Sequence, residues 1–265
     1  MSFRKLLMLV LLAVPLAGAT DRYVSPGGSG STCSSGSPCS ASTGISATNA
    51  GDTLHFLPSG SSYGCITTAH SGTSGSRIVY ISDTQYGAKI SCNSTVVWQN
   101  NGSYVDINGF EVTSTGSSSC EGIRSVASFV HTIRNYIHDI PAISATCGNG
   151  GDGFAFGWNG NHGTNSDNLG DSNIVDMVGF ANGSCPNMHG IYGSTPRNKF
   201  TNNIVTRSCG WGIQTYHDST TAVISNNVFA ANLRGGILVG ASDGTSHTNA
   251  TIATSHPRLR IIGIS

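Results

Sequence analysis

Short apolar runs, each followed by Asn, Gly or Ser, set the pattern of hydrophobic and polar positions in this chain. No long segment shows the 3.6-residue apolar period of an amphipathic helix. In the second half, a glycine followed by an apolar residue recurs in Glu121-Gly-Ile-Arg, Asp152-Gly-Phe-Ala, His189-Gly-Ile-Tyr, Trp211-Gly-Ile-Gln and Gly235-Gly-Ile-Leu. The last three units begin 22 and 24 residues apart, whereas the earlier intervals of 31 and 37 residues indicate inserted loops.

A second apolar strand, led by Asn, follows each of the first four units. These strands are Asn135-Tyr-Ile, Asn173-Ile-Val, Asn203-Ile-Val and Asn227-Val-Phe. In a parallel β-helix such positions stack about 4.8 Å apart, so Ile and Val fill the interior and Asn amides form a ladder. Glycine supplies the tight or left-handed backbone at the bends. The sequence therefore predicts an all-β, single-stranded right-handed parallel β-helix over residues 20–265, with rungs after about residue 250 expected to be truncated.

The first residues predict secretion. Arg4 and Lys5 form a basic region, Leu6–Leu16 is apolar, and Ala17-Gly18-Ala19 offers a small-x-small cleavage site. We interpret residues 1–19 as a signal peptide, so the protein is expected to be extracellular or periplasmic. No other stretch is long and apolar enough for a membrane span, and no membrane partner is expected.

Eight cysteines suit an oxidising compartment. Cys33 and Cys39 are close enough to close a tight loop. Three further pairs are 27, 27 and 24 residues apart, about one rung: Cys65 with Cys92, Cys120 with Cys147, and Cys185 with Cys209. Because eight cysteines allow 105 pairings, this connectivity is a hypothesis. Zinc is disfavoured, because the sequence contains no CxxC or HxxxH.

Charge is scarce and balanced. Thirteen basic and 13 acidic residues make up 10% of the chain and cancel, so no basic field exists to hold nucleic acid. The 35 glycines and many small polar residues fit a turn-rich extracellular β-structure, which we expect to be a monomer.

The first half contains a series that resembles the N-terminal rungs of a known superfamily. The segments are Tyr23-Val-Ser-Pro-Gly-Gly, Ala50-Gly-Asp-Thr-Leu-His-Phe and Gly72-Thr-Ser-Gly-Ser-Arg-Ile-Val-Tyr-Ile. They resemble the pectate-lyase-like superfamily, with its alginate-lyase-like, chondroitinase-like and epimerase-like branches, over about residues 22–250. The resemblance implies the β-helix fold, a short capping helix at 45–50 and a polysaccharide substrate.

Successive side chains of a β-strand point to opposite faces of the sheet, so the sequence predicts which residues point inward and which outward. If the apolar residue after each glycine points inward, the next residue points outward; this column holds Arg124, Ala155, Tyr192, Gln214 and Leu238. The residues before the glycines form a second column: Glu121, Asp152, His189, Trp211 and Gly235. Strict alternation turns this column inward, so its exposure depends on where the strand bends. Stacking places Asp152 about 5 Å from His189 at the backbone, where a carboxylate raises the basicity of an imidazole.

These columns suggest β-elimination on a uronic acid polymer, which requires a cation for the carboxylate, a base and an acid. Arg124 or Arg234 is the candidate cation, His189 or His217 the base, and Tyr192 or Tyr216 the acid, with Asp152 beside them. We expect the substrate to contact Trp211, Gln214, Arg234 and Trp158. The loop from Gly157 to Asp171, with Trp158 and His162, is expected to overhang the groove. The sequence assigns no metal ligands, and calcium remains a candidate cofactor.

Two other functions stay open. His189-Gly-Ile resembles the His-Gly motif of polygalacturonase-like hydrolases, which need a pair of carboxylates. Asp152 matches one, but Arg197-Asn-Lys199 lies on the wrong rung for their Arg-x-Lys. The third function is a non-catalytic glycan-binding or cell-surface solenoid. Its sequons, if the host is eukaryotic, begin at Asn93, Asn101, Asn182 and Asn249.

Overall fold

The computed structural model describes residues 18–142, 147, 150–158, 164–179, 187–240 and 250–253. These residues form 22 strands and one helix. The first part contains β1 (Asp21–Val24), α1 (Ala41–Ala47), β2 (Thr53–Phe56), β3 (Ile66–Thr68), β4 (Ile78–Ser82), β5 (Lys89–Cys92), β6 (Val96–Asn100), β7 (Val105–Asn108) and β8 (Glu111–Ser114). Next come β9 (Glu121–Ser125), β10 (His131–Ile133), β11 (Tyr136–Ile140), β12 (Gly151–Phe156), β13 (Leu169–Asp171), β14 (Ile174–Val178) and β15 (Met188–Gly193). The last are β16 (Lys199–Thr201), β17 (Ile204–Thr206), β18 (Trp211–Thr215), β19 (Val223–Ser225), β20 (Val228–Ala230), β21 (Gly235–Val239) and β22 (Thr251–Ala253).

The strands form three sheets that the chain visits in turn. The nine-stranded sheet has the order β1-β2-β4-β7-β10-β13-β16-β19-β22. The six-stranded sheet runs β20-β17-β14-β11-β8-β5, and the seven-stranded sheet runs β21-β18-β15-β12-β9-β6-β3. Neighbouring strands in each sheet are parallel, as between β9 and β12. Such crossovers are right-handed in nearly all proteins, and the predicted right-handed parallel β-helix is confirmed.

The register between neighbouring strands is the one that the Gly-apolar units of the sequence predict. In the seven-stranded sheet, Ile123 pairs with Phe154, Phe154 with Ile191, and Ile191 with Ile213. All four side chains are fully buried. Stacking like residues on successive rungs removes each from water on both sides, which is the main stabilising term of a solenoid.

The Asn ladder is present at the turn between the nine-stranded and six-stranded sheets. The Asn173 Oδ1 accepts from the Asn135 backbone N–H at 3.0 Å, and its Nδ2 donates to Asn203 Oδ1 at 2.9 Å. Asn203 repeats the pattern with Asn227. The residue before each Asn is left-handed but, contrary to expectation, is not glycine in these four rungs: Arg134 (φ 54), Ser172 (φ 56), Asn202 (φ 58) and Asn226 (φ 57). The amide stack fixes the turn firmly enough to hold side-chain-bearing residues there.

A helix packs at the first rungs, as expected, but with different bounds. The 45–50 prediction is wrong in register, because Ser40 caps the helix and accepts from the Thr43 N–H. Thr48 leaves the helix with ψ 139. At Gly44 a Cβ would lie 2.4 Å from the Val24 side chain, so the close approach to β1 requires glycine.

Three of the four predicted disulfides are formed: Cys33–Cys39, Cys65–Cys92 and Cys120–Cys147. The fourth pair includes Cys185, which lies outside the described residues, as do residues 1–17 of the predicted signal peptide and residues 254–265. Among the residues that the structure describes, no helix has the length and apolar character needed to cross a bilayer.

Candidate functional site

The glycines of the repeat decide which way the preceding residues point. A Cβ on Gly153 would lie 2.4 Å from the Val175 side chain in the interior and 2.6 Å from the Gly190 carbonyl oxygen. Glycine and the buried Phe154 after it therefore both face the core, and the strand bends there. The bend breaks strict alternation and places Asp152 on the outer face. The pre-glycine residues consequently share that face with Arg124 and Tyr192.

Arg124 is held by Glu121, which is not among the site residues predicted from the sequence. Its Nε donates to Glu121 Oε2 at 2.6 Å, and its Nη2 makes a second, short bond to Oε1. The guanidinium carbon lies 5.2 Å from the centroid of the Trp158 ring, within the range of a cation–π contact. Burial opposes ionisation, but Glu121 raises the pKa of Arg124 above its ordinary value. The sequence feature that points to Glu121 as a site residue is its place in the pre-glycine column, beside Asp152 and His189.

Asp152 is an acid in a poorly solvated position. It is 7% exposed, and its Oδ1 has no hydrogen-bond partner. Burial, followed by the charge of Glu121 on the preceding rung, raises the pKa of Asp152 well above its usual range. Arg124 and the backbone N–H of His189 act in the opposite direction. Such a carboxyl holds its proton to higher pH than a solvated one.

His189 does not gain basicity from Asp152, so that expectation is wrong. Burial and the nearby Arg234 charge lower the pKa of His189 from 6.5 to about 3, with only partial relief from the Gln214 side chain. Asp152 contacts the His189 backbone rather than the ring. The Nδ1 atom accepts from the Trp211 backbone N–H at 3.2 Å, which assigns the proton of the neutral ring to Nε2.

Tyr192 lies partly exposed beside His189. The two rings are nearly parallel, with centroids 6.2 Å apart. Burial, and then the charge of Asp152, raises the pKa of Tyr192, so the phenol is protonated at neutral pH. Tyr216 is the next neighbour along the strip, and its ring lies 3.0 Å from where a Cβ on Gly240 would be. The His217 ring meets that of Tyr216 edge to face at 4.8 Å.

The structure thus brings most of the predicted residues to one surface. We call the outward residues of β9, β12, β15, β18 and β21, together with residues that directly precede or follow these strands, the polar strip; it comprises Glu121, Arg124, Asp152, Trp158, His189, Tyr192, Gln214, Tyr216, His217 and Arg234. Arg234 is exposed and has no ion pair with a described residue. Trp211 is 9% exposed, so it is less available to a sugar than expected. His162 lies outside the described residues.

A metal centre is not evident in this surface. In the described part of the chain, no group of three His, Cys, Asp or Glu side chains is arranged to hold a metal ion. The candidate calcium dependence therefore stays a prediction.

No protein-family model matches the chain, and no curated protein matches its sequence. Solved structures do match. Pectate lyase Pel9A is 18% identical, with a TM-score of 0.67 over 90% of this chain and 63% of its own. An alginate lyase from Paenibacillus sp. str. FPU-7 is 18% identical, with a TM-score of 0.66 over 89% and 75%. A rhamnogalacturonan lyase is 17% identical, with a TM-score of 0.63 over 89% and 65%. The chain therefore has the parallel β-helix fold that these polysaccharide lyases share, over about two thirds of their length.

Proposed function

We propose that this protein is a secreted polysaccharide lyase that cleaves a uronic-acid-containing polymer by β-elimination. One observation carries the proposal: the polar strip gathers a cation, an imidazole and a protonated phenol on one rigid face of the β-helix. The fold is shared with three lyases, which supports the same reaction class. The three disulfides are consistent with an oxidising, extracellular destination.

Arg234 is our candidate for the substrate carboxylate. β-Elimination requires that this carboxylate be neutralised so that the C5 proton becomes acidic. Arg124, the other candidate, already has two N–H groups bonded to Glu121. Arg234 is exposed and has no such partner among the described residues, so its charge is available to a ligand.

His217 is the better candidate base, and Tyr192 the candidate acid. The Nδ1 lone pair of His189 is occupied by the Trp211 N–H, and burial holds its ring neutral. His189 therefore acts as a positioning residue that stacks on Tyr192. His217 is partly exposed and can take the C5 proton, while the phenol of Tyr192, whose pKa is raised, gives its proton to the leaving oxygen.

The test is a product assay with matched variants. The protein is incubated with pectate, alginate, glucuronan and chondroitin, with and without calcium, and unsaturated uronates are followed by ultraviolet absorbance. We expect Tyr192→Phe to lower kcat by about 10²-fold or more, the usual contribution of general acid catalysis. Tyr136→Phe is the control, because Tyr136 also stacks on a histidine, His138, at 4.1 Å, but lies on the six-stranded sheet.

Three outcomes separate the candidate functions. Absorbance that depends on Tyr192 but not on Tyr136 supports elimination. New reducing ends without absorbance contradict elimination and indicate hydrolysis. Retained polymer binding without either product indicates a non-catalytic glycan-binding protein.

Hydrolysis has one observation in its favour. Glu121 and Asp152 are paired in register on adjacent rungs, and their environments differ: Glu121 is bonded to Arg124, whereas the pKa of Asp152 is raised. Glycosidases use a pair of carboxyl groups whose environments differ. Asp152, whose Oδ1 is buried without a hydrogen-bond partner, would be the proton donor of this pair. Hydrolysis is therefore our second candidate function.

A further inference from the structure

The polar strip has an uneven distribution of charge along the β-helix axis. At its β9 end, the Arg124 guanidinium is bonded through Nε and Nη2 to the carboxylate of Glu121. Glu121 is 5% exposed, so solvent does little to weaken this pair. The carboxylate of Glu121 therefore neutralises the positive charge of Arg124.

The next two rungs add no positive charge. Ala155 pairs with both Arg124 and Tyr192 in register and is uncharged. Asp152 contributes either no charge or a negative one. The imidazole of His189, whose pKa is lowered to about 3, is neutral at physiological pH. Over β9 and β12 the charges of Glu121 and Arg124 therefore cancel, and an anionic sugar placed there finds no uncompensated cation.

The far end of the strip is different. Arg234 precedes β21, is exposed, and has no ion pair with a described residue. From β9 to β21 the seven-stranded sheet takes four steps, or about 19 Å at the usual strand spacing. Because the Arg234 charge also acts on His189 of β15, this uncompensated cation lies between two and four rungs from the neutralised guanidinium of Arg124.

The Arg124 end also offers the groups that a neutral sugar needs. The compensated guanidinium retains N–H groups that Glu121 does not occupy, and these can donate to hydroxyl oxygens. Trp158 is 44% exposed, so its indole presents an apolar surface to the C–H face of a sugar ring. Hydroxyl recognition beside an aromatic surface suits a neutral sugar better than a uronate.

We infer that the polar strip binds a polymer in which uronates are separated by neutral sugars, with a neutral sugar at Glu121–Arg124–Trp158 and a uronate at Arg234. The inference rests on the proposed function for its ligand class. A polymer made of uronate alone would place a carboxylate at both ends of the strip. The Arg124 end would then offer no uncompensated cation to the second carboxylate.

Binding is measured separately from turnover, by affinity electrophoresis in gels that contain one polymer each. Two pairs of polymers share a uronate: glucuronan with unsulfated chondroitin, and pectate with an alternating galacturonate–rhamnose polymer. We expect the wild-type protein to be retarded more by the alternating member of at least one pair. Equal or stronger retardation by both homopolymers, or no retardation by any polymer, would overturn the inference.

Glu121→Gln tests the cause. It should release the charge of Arg124 and shift the ratio of affinities toward the homopolymer by about fivefold, the effect of an ion pair worth about 1 kcal/mol. The matched control is Glu111→Gln, which frees Lys89 from a 2.7 Å ion pair on the six-stranded sheet and should leave the ratio unchanged. An equal shift in both variants would overturn the assignment to Arg124. If Glu121→Gln fails to fold, the wild-type ratios still decide.

The two proposals fail in different ways. Absence of unsaturated product from every polymer overturns the lyase function, while the electrophoresis still tests the charge argument. Elimination that is fastest on the homopolymer of each pair supports the lyase and overturns the inference.

Discussion

The buried imidazole of His189 should make the fold sensitive to acid. Its pKa is about 3 in the folded protein against 6.5 ordinarily. Between these two pH values the His189 ring binds a proton in the unfolded chain but not in the folded protein. This contribution to stability is fully present above pH 6.5 and is lost as the pH falls from 6.5 toward 3. Acidification from pH 7 to pH 5 should cost about 2 kcal/mol through His189 alone.

Urea unfolding at pH 7 and pH 5 measures this cost. The wild-type protein should lose about 2 kcal/mol more than His189→Gln, because glutamine does not titrate and keeps an acceptor for the Trp211 N–H. The carboxylates titrate in both proteins, so the comparison cancels them. An NMR titration gives an independent check: the His189 ring signal should not move between pH 7 and pH 5. A ring that titrates near neutrality, or equal acid sensitivity in both proteins, would refute the reasoning.

Three further substitutions test the fold that carries the site. Asn173→Ala should lower the free energy of unfolding by about 2–4 kcal/mol, because it orphans the buried Asn135 N–H; urea unfolding of exposed Asn101→Ala should differ from wild type by less than about 0.5 kcal/mol. Gly190→Ala would put a Cβ 2.2 Å from Val205, so calorimetry should show a lower Tm, and an unchanged Tm would contradict the bend. Breaking Cys65–Cys92, 27 residues apart, should cost about 3–4 kcal/mol in a urea titration, and a loss below about 1 kcal/mol would argue against this entropic account.

The solenoid could be predicted because its signals are local and repeated. The same short pattern fixes the same turn in every rung, and parallel stacking brings like positions together. The Gly-apolar units gave the register in which Asp152 pairs with His189. The cysteine spacing matched the rung, so the pair Cys65–Cys92 followed from it. The helix bounds were wrong because the capping bond of Ser40 competes with a weak apolar pattern.

The sequence by itself determined the β-helix, its phase and the two columns of residues that stack from rung to rung. Only the tertiary structure decided the exposure, the charge and the pKa of those residues. Burial, which the pattern does not report, lowers the pKa of His189 and raises that of Asp152. The bend at Gly153 places the pre-glycine column outward, and contact with Glu121 cancels the charge of Arg124. Ionisation depends on solvation and on neighbours from other rungs, so it is set by the packed structure and not by the repeat.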